Sequence, residues 1–292
     1  MPPWKYSALY LHERESTAAA PGLTMHAHKK LTQTIRVAPL VWWRYCDLLG
    51  NLVRKDIKVR YMGASMGFAW SLLNPLSIMV MYLFVFGYVF KSSLPHYSLY
   101  LISAILHWTF FSGVIMQSPE ILVSNGGLIK KIYFPRVLVT ISTLLLNLVL
   151  WSMALVAFLL MYRWLGGRWS PVLLLYPFYF LLFLAFTWGW SLILCVLYVD
   201  YRDIKHLVEV LIQLLFWTTP IAYSFAQIPP RMRPFFAMNP LTEFTLIFHD
   251  IFWSNTVPTL KLTSAFSVWA IVSLGFGLVL FQRLVPTLVE RL

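Results

Sequence analysis

The residues of this chain that could do chemistry are concentrated in two short polar segments between long apolar stretches. The first reads NGGLIKKIYFPR over 125–136, and the second reads VDYRDIKH over 199–206. Each mixes basic, aromatic and aliphatic side chains, which suits either a surface for docking a cytosolic partner or a simple basic anchor at a membrane. The second segment also groups Asp200, Asp203 and His206, the cluster that a transferase-type enzyme would need.

Motifs for energy conversion are missing from the sequence. A phosphate-binding P-loop needs a lysine after its last glycine, and none of the 13 glycines is followed by lysine. There is no HExxH motif for zinc either. His107 lies within an apolar stretch, where it is either a functional group or a neutral histidine bonded to a neighbouring helix. The sequence therefore predicts a non-catalytic protein that holds no metal or cofactor of its own.

The composition indicates a membrane protein. Apolar residues make up 59% of the 292 residues, charged residues only 12%, and the mean hydropathy is +0.70. Soluble domains carry about 25% charged residues, so half that share leaves too little polar surface for a soluble enzyme. The net charge of +12 then indicates basic loops at an anionic leaflet, and no nucleic-acid partner is expected.

The elements that position these segments are predicted to be transmembrane helices. A helix needs about 20 apolar residues to cross the hydrocarbon core, and strands with open edges cannot satisfy their backbone groups there. The chain is therefore predicted to be an all-α polytopic protein with six spans, at about 68–90, 97–119, 137–162, 172–199, 207–226 and 262–283. The distribution of Lys and Arg between alternate loops places both termini in the cytoplasm.

The region before the first span divides into two parts. Residues 1–40 are expected to be a loosely ordered cytoplasmic segment, and 41–67 an amphipathic helix in the membrane interface, ahead of a transmembrane domain over 68–292. The helix is predicted from apolar residues that recur at helical spacing opposite a basic face. It is either a passive anchor or a frame for a lateral or cytoplasmic entrance.

The segment before the last span is apolar but interrupted by prolines. A seventh crossing there would place the C-terminus outside, so a re-entrant helical hairpin within 229–258 is predicted. Glu243 and Asp250 are seven residues apart and could share a helix face at the outer mouth, either solvated or paired with Arg231 or Arg233.

Several runs of residues resemble the membrane subunit of polysaccharide-exporting ABC transporters, a family that exports O-antigen, capsule or teichoic acid. The resemblance covers about 40–285 and is carried, in the same order, by RYMGASMGFAWSLLNPLSIMVMYLFVFGYVF (60–90), LIKKIYFPR (128–136), YRDI (201–204) and MNPL (238–241). It implies a homodimer in the bacterial cytoplasmic (inner) membrane, joined by two copies of a separate nucleotide-binding subunit that binds ATP and Mg. The implied cargo is an undecaprenyl-diphosphate-linked glycan.

The resemblance also implies site residues. Two coupling helices that contact the ATPase subunit would contain Leu128, Ile129, Lys130, Lys131, Tyr133, Phe134 and Pro135, and Tyr201, Arg202, Asp203 and Ile204. The first and fifth spans would line the channel, where sugar rings could stack on Tyr82, Phe86, Phe216 and Trp217. The lipid diphosphate would meet Arg54, Lys55, Lys58 and Arg60, which could equally serve adhesion to the leaflet.

Two other classes of protein remain open at the level of sequence. An ATP-independent flippase for lipid-linked glycans would move its substrate without a partner subunit. An integral-membrane glycosyl- or acyltransferase would use the cluster of Asp200, Asp203 and His206.

Overall fold

A computed structural model describes residues 39–63, 66–82, 84–85, 88, 94–131 and 134–288. Within those residues the chain is helical and contains no strand. The contacts divide the chain into two units, 1–48 and 49–292. Only 39–48 of the first unit are described, and they are helical.

Eleven α-helices are numbered here in chain order, among the residues that the structure describes. Their bounds are α1 Pro39–Tyr61, α2 Trp70–Tyr82, α3 Tyr97–Gln117, α4 Ile121–Ser124, α5 Gly126–Lys131, α6 Val137–Met161, α7 Tyr176–Asp200, α8 Ile204–Thr218, α9 Arg233–Ala237, α10 Pro240–His249 and α11 Leu260–Leu288. A 3₁₀ segment, Pro171–Leu175, leads into α7, and a π-helical turn, Asp250–Ser254, continues α10.

Four helices are long and apolar enough to cross a membrane: Tyr97–Gln117, Val137–Met161, Pro171–Asp200 and Leu260–Val285. They coincide with the predicted spans at 97–119, 137–162, 172–199 and 262–283. The predicted spans at 68–90 and 207–226 are not confirmed, because α2 has 13 residues and α8 has 15. A 15-residue helix is about 22 Å long, against a hydrocarbon core of about 30 Å.

Helix α8 ends early because the chain after Thr218 finds other hydrogen-bond partners. Thr219 is extended, and Pro220 has no backbone N–H to continue the helix. The Tyr97 hydroxyl donates to Ala222 O at 2.8 Å, and the Tyr100 hydroxyl donates to Tyr223 O at 2.9 Å. Two tyrosine hydroxyls from the start of α3 thus donate to backbone carbonyl groups that follow α8 and have no helical partner.

Helices α7 and α11 pack closely through small residues. A Cβ atom on Gly277 would lie 2.5 Å from Gly189 O, and one on Gly189 would overlap the backbone of Ser273. Close approach of this kind is how helices associate in lipid, where hydrophobic burial provides little driving force.

Helix α3 lies at the centre of the bundle, and α10 packs between it and α7. The ring of His107 stacks on Phe248 with centroids 3.8 Å apart, and Phe183 stacks on Phe244 at the same distance. The two nitrogens of His107 are also satisfied, since Nδ1 donates to Ser103 O at 2.6 Å and Nε2 accepts from the Tyr176 hydroxyl at 2.8 Å. His107 therefore holds α3, α7 and α10 together through Ser103, Tyr176 and Phe248.

We expect Gly277→Val to destabilise the protein by about 1–3 kcal/mol, because the added side chain forces α7 and α11 apart. Gly275 is the matched control, because it lies on the same helix and a Cβ there meets no atom within 4 Å. Gly275→Val carries the same change in helix propensity without the clash. Thermal unfolding of the two purified variants in detergent checks the difference, and equal midpoints would contradict the close packing.

Candidate coupling surface and groove

Residues 128–131 of the first predicted coupling segment lie in the short helix α5, which follows α4 in the connection between α3 and α6. Ile129 and Phe134 are buried and anchor the segment to the bundle. Lys130 and Lys131 are exposed, whereas Leu128 and Pro135 are half-buried. Tyr133 lies outside the described residues. The exposed surface of this segment is therefore basic, and two of its apolar side chains are buried in the bundle.

The second predicted coupling segment is the three-residue turn between α7 and α8. Tyr201, Arg202 and Asp203 are all exposed, and the side chain of Tyr201 is 65% accessible. Ile204 begins α8 and packs against the core of the bundle. The turn therefore exposes a large aromatic side chain among charged groups, and its contact with an ATPase subunit stays a prediction.

Next to these segments, Glu120 links the chain just before α4 to the first turn of α8. The Lys205 ammonium donates to Glu120 Oε1 at 2.8 Å, and the Tyr198 hydroxyl donates to the same oxygen at 3.5 Å. The hydrogen bond and the negative charge of Glu120 raise the pKa of Lys205. The guanidinium of Arg202 lies 5.0 Å from the ring centroid of Tyr198. Nothing in the local sequence pattern singles out Glu120.

Helix α1 joins the first segment through another polar contact. The Lys55 ammonium donates to Asn125 Oδ1 at 2.9 Å, and it lies 3.2 Å from Asp56 Oδ1. Asn125 is held in turn, because its Nδ2 donates to Ile121 O at 2.9 Å. The other three basic residues assigned to a diphosphate are exposed: Arg54, Lys58 and Arg60.

A groove of about 400 Å³ lies between α2, α3 and α8. Phe216 and Trp217 line this groove, and the prediction that they line a transport channel stays a prediction. The side chain of Tyr82 and the whole of Phe86 lie outside what the structure describes. The other lining residues were not predicted and add polar groups beside the rings: Ile78, Ile105, Trp108, Thr109, Ser112, Ile212 and Gln213.

The opposite end of the bundle holds the segment from Thr219 to Asn255. Asn239 caps α10, since its Oδ1 accepts from the backbone N–H of Leu241 at 3.0 Å, and Pro240 occupies the first helical position. The Nδ2 of Asn239 donates to Thr219 Oγ1 at 3.0 Å. The MNPL run is thus a helix start that also holds the end of α8.

The two carboxylates of this segment are partly buried. Burial raises the pKa of Asp250 to about 6 and raises that of Glu243 as well. Arg233 is committed elsewhere, because its guanidinium donates to Ile228 O at 2.9 Å and to Ala226 O at 2.8 Å. The ion pair that the sequence left open between Arg233 and these carboxylates is not formed.

A family model described as ABC-2 type transporter matches residues 47–253. An O-antigen export system permease protein, RfbA, of Klebsiella pneumoniae is 30% identical over 247 residues, which cover 82% of this chain and 92% of that protein. A protein of the same name from Myxococcus xanthus is 27% identical over 243 residues, with 82% and 93% covered. The polysialic acid transport protein KpsM of Escherichia coli is 20% identical over 238 residues, with 79% and 91% covered.

The chain belongs to the ABC-2 type transporter family. Its long apolar helices make it a multi-pass membrane protein of that family. The family match contains the described parts of both predicted coupling segments and all the groove residues, so the features above lie within the shared region.

We expect Asn239→Ala to lower the free energy of unfolding by about 1–2 kcal/mol, because the variant loses the cap of α10 and the bond to Thr219. Asn239→Asp keeps the oxygen that caps the helix but loses the donor to Thr219, so its loss should be smaller. Thermal unfolding of both variants measures the order. An alanine variant as stable as the parent would contradict the role of Asn239.

Proposed function

We propose that this chain is the transmembrane subunit of an ABC transporter that exports a lipid-linked polysaccharide across the bacterial cytoplasmic membrane. ATP hydrolysis takes place in a separate subunit, which binds ATP and Mg. The observation that carries the proposal is the placement of two exposed segments of docking composition at one end of the bundle. Helix α8 connects that end to the groove. The names of the relatives from Klebsiella and Myxococcus support an O-antigen type of cargo.

The proposed arrangement in the membrane has six spans with both termini in the cytoplasm. Helix α2 supplies part of the first span, and α8 supplies part of the fifth. Helix α1 lies in the interface: Leu52 is buried, whereas Arg54, Lys58 and Arg60 are exposed towards headgroups. The segment that contains α9 and α10 is a re-entrant hairpin on the outer side, since the ten residues of α10 are too few to span.

The transport cycle follows from where α8 begins and ends. Closure of two ATPase subunits pushes on the turn before α8, which contains Tyr201, Arg202 and Asp203. It also pushes on Lys130 and Lys131 of α5. Ile212, Gln213, Phe216 and Trp217 on the same helix line the groove, so displacement of α8 changes the width of the groove. Two copies of the chain enclose a continuous path for the glycan.

The groove has the chemistry that a sliding sugar chain requires. Aromatic rings such as Trp108, Phe216 and Trp217 present flat apolar faces on which sugar rings can stack. Thr109, Ser112 and Gln213 add hydroxyl and amide groups that can exchange hydrogen bonds with sugar hydroxyls. Many weak contacts of this kind hold a polymer without trapping it at one position.

The lipid diphosphate enters beside α1. Arg54, Lys58 and Arg60 offer exposed cations to the phosphates. Lys55 is the weakest of the four assigned residues for this task, because Asn125 and Asp56 already bind its ammonium group.

We expect the solubilised chain to purify from its native membrane with an ATPase subunit, and Tyr201→Ala to reduce that association by about tenfold. The reason is that an exposed aromatic anchor at an interface commonly contributes more than 1 kcal/mol. Trp164→Ala is the control, because Trp164 is also an exposed aromatic residue, at 89% against 65% for Tyr201, but it follows the C-terminal end of α6. Quantitative pull-down with an ATPase assay measures both.

The same experiment separates the two competing classes of function. A chain that purifies alone under gentle conditions, and that moves lipid-linked glycan in vesicles without ATP, would replace the exporter with a flippase. A transferase would lose glycan synthesis in Asp203→Ala. The exporter instead predicts normal synthesis in that variant, with lipid-linked glycan accumulating on the cytoplasmic side.

We expect Trp217→Ala to slow export by about threefold to tenfold while ATPase activity and subunit association remain, because loss of one stacking ring removes about 1 kcal/mol of contact. Trp217→Phe keeps a ring and should retain most of the rate. Trp269→Ala serves as the control, since Trp269 is exposed on α11 and does not line the groove. An equal effect at both tryptophans would argue against the groove as the path.

A further inference from the structure

The contact between Glu120 and Lys205 joins two parts of the chain that are 85 residues apart. Glu120 immediately precedes α4, which leads into α5 and the first coupling segment, and Lys205 follows the second segment in the first turn of α8. Tyr198, at the end of α7, donates to the same carboxylate oxygen. One carboxylate thus contacts both elements that flank the second segment.

We propose that Glu120 is a positioning residue that makes the two coupling segments move together when the ATPase subunits close. This inference rests on the proposed function. A push on Tyr201, Arg202 or Asp203 then also displaces α4 and α5, and a push on α5 also displaces the start of α8.

Three observations support a mechanical role over one in stability. Both side chains are well exposed, at 38% for Lys205 and 48% for Glu120, and surface ion pairs contribute little to folding. The fold of α4 does not depend on the ion pair, because Ile121 and Leu122 are buried in the bundle. Asn125 also fixes this segment, through Ile121 O and Lys55. The ion pair is therefore dispensable for the fold of each segment, but it joins one segment to the other.

Charge reversal tests the inference in the complete complex of the chain with its ATPase subunit, reconstituted in vesicles with lipid-linked glycan. We expect Glu120→Lys and Lys205→Glu each to lower the glycan exported per ATP hydrolysed by about threefold, with ATPase turnover and subunit association retained. The double variant restores an ion pair of opposite orientation and should recover the parental ratio.

Glu209→Lys is the matched control. Glu209 pairs with His206 at 3.4 Å within α8, and its charge also helps to raise the pKa of Lys205; its reversal therefore changes the same charge beside Lys205 while both partners of the Glu120–Lys205 contact remain. It should leave the glycan exported per ATP unchanged.

Each other outcome has a definite meaning. Single variants with the parental ratio would overturn the inference, as would a double variant no better than the singles. Loss of subunit association in the single variants would assign Glu120 and Lys205 to the docking surface itself and also overturn it. A parent chain that binds no ATPase subunit contradicts the proposed function and is seen before any variant is made.

Discussion

The arrangement of this subunit depends on the packing of α10, a helix of ten residues, between two helices that are long enough to span the membrane. Phe244 stacks on Phe183 of α7, and Phe248 stacks on His107 of α3. A helix too short to span cannot satisfy its ends with lipid, so it needs fixed partners at both. Asn239 supplies one at the start of α10, and the π-helical turn continues the chain at the other.

The polar contacts of the bundle fall into two groups at opposite ends. At one end, Tyr97, Tyr100 and Asn239 hold the backbone and side chains that follow α8. At the other end, Glu120 and Asn125 hold Lys205 and Lys55. Between them lie aromatic packing and the glycine contact of α7 with α11. The long helices thus form the packed centre of the bundle, and the polar groups determine how the short elements are attached to it.

Local sequence patterns predicted what depends on local physics. Hydropathy located the four long helices, because a span must be apolar over its whole length. Composition located the exposed turn of Tyr201, Arg202 and Asp203, because these residues are too polar to enter lipid. The end of α8 at Thr218 was missed, since it depends on the hydroxyls of Tyr97 and Tyr100, which bind carbonyl groups at least 120 residues further along the chain. The contact of Lys55 with Asn125 was missed for the same reason, and a hydropathy pattern contains no information about either.

Helix α8 is held at both ends, so a rotation about one end displaces each residue in proportion to its distance from that end. Its far end is fixed at Thr219 by Asn239, and Lys205 lies about 21 Å away along the helix axis. A rotation of 10° about that fixed point would carry Lys205 through about 4 Å but Trp217 through less than about 1 Å. A displacement of several ångströms at Lys205 would thus become a displacement of less than about 1 Å at Trp217, in the wall of the groove.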